Sequence, residues 1–176
     1  MTVFSEVKGK LSSAVRAQEE RYAGGEERPL RGYATTMAVY TSVVAALATV
    51  ARATGREIPD RLSPADIVLS AVATQKLSRL ITRDAVTSPL RAPFTAYRGT
   101  SGPAELQEEV RGHGARKAVG ELVTCPFCTD VWVATGLTAG LIYLPRTTRL
   151  AMATLAALGG ADLLQFAHAW LEKAAE

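Results

Sequence analysis

Charge is nearly absent from four stretches of the chain and collects between them. Residues 33–53 carry no charge until Arg52, and at about 1.5 Å per helical residue they approach the ~30 Å hydrocarbon thickness of a bilayer. Residues 65–81 follow a polar turn holding Arg56, Pro59, Asp60, Arg61 and Pro64, and they include Asp66 at the start and Lys76 and Arg79 inside. Hydropathy alone rates this second segment poorly, but charges near a helix end snorkel and internal ones can face a bundle. A third stretch, 124–144, opens with two cysteines, is interrupted by Asp130 and ends at Pro145-Arg146. The fourth, 150–171, is apolar apart from Gly159-Gly160, Asp162, Gln165 and His168.

Two further regions complete the pattern. Val3, Phe4, Val7, Leu11, Ala14 and Val15 recur at helical spacing among Lys8, Lys10 and Arg16, which predicts an N-terminal amphipathic helix that lies on the membrane or packs on the protein. Gly24, Gly25 and Pro29 then break the chain. Residues 82–123 are basic and hold Ser88-Pro89, Ala92-Pro93 and Gly102-Pro103, so they read as a long loop with one short helix around residues 104–110. The expected fold is all-α: a polytopic membrane protein in which a four-helix transmembrane bundle spans residues 33–172, with its loop at about residues 82–123 and an N-terminal cytoplasmic amphipathic segment at residues 1–32.

Orientation follows from the twenty basic residues. Six precede the first span, eight lie between Lys76 and Lys117, and Lys173 follows the fourth; Arg52, Arg56, Arg61, Arg146 and Arg149 are the five on the other side. The positive-inside rule puts both termini and the long loop in the cytoplasm, with the protein a multi-pass component of the cytoplasmic (inner) membrane. The first residues are polar and mixed in charge, so no cleavable signal is expected. At 176 residues the chain is sized for one domain. Its 48% apolar content would also suit a soluble helical bundle; the distribution of charge, not the bulk composition, favours the membrane.

A net charge of +3 and 6% aromatic residues do not make a nucleic-acid platform. Anionic lipid headgroups suit the basic residues better. Lys76, Arg79 and Arg83 fall on one helical face at i, i+3 and i+7, and Arg91 follows in a Pro-bounded turn, so these four are candidates for lipid or anion binding. Topological anchoring of a helix end is the simpler reading of the same residues. The second and fourth segments run in the same direction. Lys76 lies eleven residues into one and Asp162 twelve into the other, so an ion pair between Asp162 and Lys76 or Arg79 is expected. Asp162 and Gln165 are the intramembrane polar candidates.

Cys125 and Cys128 flank Pro126-Phe127 at a helix start, a CxxC arrangement that lowers thiol pKa in dithiol oxidoreductases. Packing, redox chemistry and metal binding all remain open, although only His113 and His168 could add nitrogen ligands and no metal site follows. A cytoplasmic location argues against a stable disulfide. No phosphate-cradling loop, dinucleotide fingerprint, zinc helix or catalytic triad is present, and no cofactor is implied.

The run from Lys76-Leu77-Ser78-Arg79 through Arg83-Asp84 to Ser88-Pro89-Leu90-Arg91-Ala92-Pro93-Phe94, followed by Gly120-Glu121-Leu122, Cys125-Pro126-Phe127-Cys128, Trp132 and Ala161-Asp162-Leu163-Leu164-Gln165, resembles the domain of unknown function 1360 family of bacterial membrane proteins. Where that family usually has a small residue after the second cysteine, this chain has Thr129-Asp130. The resemblance implies an uncharacterised, sporulation-associated protein of the bacterial envelope and carries no established reaction. A non-enzymatic assembly or scaffolding factor is the leading expectation, with lipids and a protein partner or second copy as its partners. The alternative is a membrane enzyme or transporter using the dithiol or the Lys76, Arg79 and Asp162 cluster.

Overall fold

The computed structural model describes residues 2–25 and 28–175. Its elements are α1 (Thr2–Ala23), α2 (Leu30–Ala53), α3 (Pro64–Thr82), a 3-10 turn (Ala85–Thr87), α4 (Ser88–Arg91), β1 (Thr95–Gly102), β2 (Glu105–Val110), α5 (Gly114–Thr124), α6 (Pro126–Tyr143) and α7 (Pro145–Ala175). The fold is mostly helical, as the pattern predicts, but not all-α. Residues expected to form a loop with a short helix around 104–110 instead form a two-stranded antiparallel hairpin.

Local chemistry explains that difference. Thr95 pairs with Val110 and Gly102 with Glu105, so Pro103 and Ala104 make a two-residue turn. Proline presets the first turn position, and Ala104 accepts a left-handed φ of 60° while its carbonyl receives the Ala85 N–H at 2.9 Å. Gly102-Pro103 therefore turns a strand back instead of starting a helix. The hairpin, the 3-10 turn, α4 and α5 form a polar cap over one end of the helical bundle.

Helix α3 carries Asp66, Lys76 and Arg79 and yet lies in the middle of the bundle, against α6 on one side and α7 on the other. Asp66, Ala73, Thr74, Ser78 and Thr82 are its buried positions, a small and polar face of the kind that lets membrane helices approach closely. Ser63 caps it, its hydroxyl accepting the Asp66 N–H at 3.0 Å. Ala73, Leu141 and Met152, one from each of the three helices, form the apolar centre, flanked by Leu62, Leu69, Leu137 and Leu155.

Two ion pairs fasten α3 to α7. Near the start of both helices Arg149 donates to both oxygens of Asp66, at 2.8 and 2.9 Å. Further along, Lys76 Nζ donates to Asp162 Oδ2 at 2.7 Å, in the geometry expected from their matching depths. Arg79 is not part of that pair; it reaches Glu105 on β2.

Helix α2 stands apart, with only Gly32 and Ala51 buried. It is held at one end where Gly32 meets α5, a crossing so close that a Cβ there would lie 2.7 Å from the Ala118 Cβ. Along its length the Tyr40 hydroxyl bonds Thr135 at 2.9 Å, the Tyr40 ring stands edge-on to Trp132, and Tyr143 donates to the Leu47 carbonyl. The outer faces of α2 and α7 present large apolar side chains, including Met37 at 70% exposure and Leu164 at 73%. Both helices are long and apolar enough to cross a membrane. Helices α5 and α6 meet that criterion only as a pair bent by 80°, and α3 does not meet it, so among the described residues two or at most three spans satisfy length and composition, fewer than the four expected. In α1 the described apolar residues Val7 and Val15 are exposed, whereas the side chains of Val3, Phe4 and Leu11 lie outside the described residues.

The cap turns on Arg91, whose side chain is completely buried. Its Nε donates to Glu108, Nη1 to the Ile81 carbonyl at 2.7 Å and the Thr87 hydroxyl at 2.8 Å, and Nη2 to the Asp84 carbonyl at 2.9 Å. One guanidinium thereby joins the end of α3, the 3-10 turn and β2. Arg91→Met would strand a buried carboxylate and two carbonyls, at a cost of about 3–5 kcal/mol. The expected result is rapid amide exchange across the hairpin, while α6 and α7 keep their protection; an unchanged hairpin would contradict this role. For the α3–α7 pair, Lys76→Met or Asp162→Asn each should cost roughly 1–3 kcal/mol, read as a lower midpoint for unfolding in detergent. The exchange Lys76→Asp with Asp162→Lys should recover part of that loss; no recovery would mean the pair is not the stabilising contact.

Candidate functional site

The cationic residues at the end of α3 do not converge on one external site. Lys76 faces α7, and Arg79 is drawn to β2. Arg83, half-buried at the helix C-cap, donates its backbone N–H to the Arg79 carbonyl at 2.8 Å and has no side-chain hydrogen bond or ion pair among the described residues. Arg91 is inaccessible to any headgroup. Of the four candidate anion-binding cations, Lys76, Arg79 and Arg91 each meet a carboxylate, and Arg83 has no such partner among the described residues. Asp162 is half-exposed and paired, whereas Gln165 is exposed on α7 and makes no hydrogen bond among the described residues.

The acids of β2 are what the sequence reading did not use. Glu105, Glu108 and Glu109 receive Arg79, Arg91 and Arg98 respectively, so the strand is an acidic ladder for cations from three other elements. Glu121 of α5 likewise accepts the Tyr33 hydroxyl of α2. Arg111 and Arg116 cap the carbonyls of Ala92 and Pro93. The signal was present in Glu105-Leu106-Gln107-Glu108-Glu109-Val110, but counting basic residues for orientation leaves acids out.

The dithiol occupies the elbow between α5 and α6. Cys125 ends one helix and caps the next, its sulfur accepting the Cys128 N–H at 3.2 Å. Thr129 fastens the same bend by donating to the Leu122 carbonyl at 2.8 Å. Both cysteines are free thiols, Cys125 half-buried and Cys128 exposed, and Phe127 between them is 84% exposed. Capping gives Cys125 a structural task, and two thiols in one helical turn also permit thiol–disulfide exchange. Among the described residues no group of three or more His, Cys, Asp or Glu could hold a metal ion. His168 pairs with Glu172 on its own helix at 3.3 Å, away from the elbow.

Comparison with known proteins agrees with the resemblance carried by these residues. The family model described as protein of unknown function (DUF1360) matches residues 69–168, which include most of α3, the whole cap, the elbow and α7 as far as His168. The sporulation protein YjcA of Bacillus subtilis (strain 168) is 31% identical over 111 residues, covering 61% of this chain and 94% of that protein. The UPF0713 protein YngL of the same organism is 28% identical over 113 residues, covering 61% of this chain and 82% of its own length. No solved structure matches. The chain belongs to the DUF1360 family of proteins of unknown function.

Proposed function

We propose that this protein is a multi-pass component of the bacterial cytoplasmic membrane that acts without catalysis, its cap serving as a rigid cytoplasmic platform for assembly of envelope proteins in a sporulation-associated role. Residues 33–172 form the membrane domain in this reading, with α2, α3, α6 and α7 as its four spans, both termini cytoplasmic and residues 1–32 on the membrane surface. The internal pairing of the cap carries the proposal. Arg79, Arg91 and Arg98 are each held by a glutamate of β2, which builds a fixed surface. Exposed apolar side chains on α2 and α7, the basic excess on the cap side and the similarity to a protein named for sporulation support the setting. Anionic headgroups remain the natural partners of α1, where Lys10, in an exposed pair with Glu6 at 3.2 Å, lies beside the exposed Val7.

A membrane enzyme or transporter is the second reading, favoured by the thiol pair at the start of α6. Replacing both cysteines by serine separates the two. The serine variant should match the parent strain wherever a deletion strain differs from it, because serine also caps a helix; behaviour like the deletion would support thiol chemistry. For orientation, Tyr97→Cys in the double-serine background should resist an impermeant maleimide in intact cells and react after permeabilisation. Labelling in intact cells would invert the topology.

A further inference from the structure

Beside the paired polar groups lies a set that is not paired, and it lines a cleft. One cavity, about 330 Å³, runs between α2 and α6 and is apolar, with Val44, Leu47, Ala48, Ala139 and Ile142 among its walls. A second, about 340 Å³, opens between α3 and α6; Leu62 and Ile67 line it together with Ser70, Thr74, Gln75 and Asp130, which make it the more polar of the two. Ala134 lines both, so they adjoin across α6 with α2 as one wall and α3 as the other.

The two halves differ in hydrogen bonding. In the apolar half Tyr40 already bonds Thr135, and Tyr143 bonds the Leu47 carbonyl. In the polar half the Thr74 hydroxyl is buried without a partner, the residue being 9% exposed. Ser70, Gln75 and Asp130 likewise make no hydrogen bond or ion pair among the described residues. A carboxylate one turn into a membrane helix is costly unless something meets its charge, and the other two aspartates of the bundle helices, Asp66 and Asp162, each meet a cation. Water is the usual remedy, but in a bilayer a groove open at the side is filled by lipid.

What would satisfy both halves is a chain with a donor-rich, positively charged end. The Asp130 carboxylate, the Thr74 hydroxyl and the Gln75 carbonyl are all acceptors, and a primary ammonium offers three N–H donors. Asp130 lies near the cap end of α6, and the apolar cavity leads from there toward Ile58 and Ile142 at the far end. The head would thus sit toward the cap side of the cleft, beside Asp130, and the tail along the apolar cavity.

We propose that the α2–α3–α6 cleft is a selective site for a bilayer lipid with a primary ammonium headgroup, phosphatidylethanolamine, its ammonium on Asp130 and one acyl chain between α2 and α6. The inference rests on the membrane reading above. Native mass spectrometry of the detergent-solubilised full chain tests it, with phosphatidylethanolamine, phosphatidylcholine and phosphatidylglycerol of identical acyl chains as probes. The first two differ only in whether the head nitrogen carries hydrogens or methyl groups. Phosphatidylethanolamine should be retained about tenfold better than phosphatidylcholine, the worth of one charge-assisted hydrogen bond. Asp130→Asn should abolish that preference and Thr74→Val reduce it. Val44→Trp, which fills the apolar half and leaves the polar half intact, should lower retention of both lipids. Equal retention of the two lipids, an Asp130→Asn variant with undiminished preference, or preference for phosphatidylglycerol would each overturn the proposal. Loss of lipid preference in a chain that still requires detergent for extraction would refute the site alone, whereas extraction without detergent would refute the membrane reading.

Discussion

A lysine partway along a helix packed between two others cannot remain charged in an apolar medium unless an acid faces it, and α3 carries such a lysine. The bundle answers with Asp162 of α7, and repeats the arrangement with reversed sign at the helix starts, where Asp66 of α3 takes Arg149 of α7. Each helix thus gives one acid and one base to the other. The pairs set direction as well as distance, because α3 and α7 run the same way and the two contacts occur in the same order along both. Everything else about α3 follows from that clamp. Its buried face is small and polar, suited to close approach and unsuited to lipid.

The same logic operates at the cap in a wetter setting. Arg91 is fully buried, yet its guanidinium is met on every side by oxygens of Glu108, Ile81, Thr87 and Asp84. Removing one partner from such a network strands the others, which makes the cap a unit that holds together or opens as a whole. The cap is thus a fixed polar surface joined to a central helix. The thiol elbow sits at the junction between this surface and the bundle, where α5 turns by 80° into α6.

How much of this was legible from the sequence depended on whether a feature was local. Helices α2 and α7 stand out because a long run dominated by apolar residues has few other readings. The Lys76–Asp162 contact could be anticipated because counting residues from the helix starts gives depth. The hairpin is not legible because β1 carries a single charge, Arg98, among small and polar residues, β2 bears glutamates on both faces, and neither shows the apolar alternation that marks a strand; Gly102-Pro103 shows a turn but not what it joins. Arg91 was read as a free cation because its partner Glu108 is distant in kind, an acid in a region judged only by its bases. Asp66 was noticed without Arg149, although the positions begin two helices that run side by side. Asp130 was seen merely as an interruption of a span, and its lack of a partner is a property of the packing alone.

The central claim is that α3 crosses the bilayer despite its charges, through its contact with α7. Glycosylation-acceptor sites placed before Ser63 and after Val110, in the full chain inserted into microsomes, test it directly. The account predicts modification at the first site only, and a loss of that asymmetry when Asp162→Leu leaves Lys76 without its acid. Equal modification at both sites in the unaltered chain, or asymmetry that survives Asp162→Leu undiminished, would contradict it.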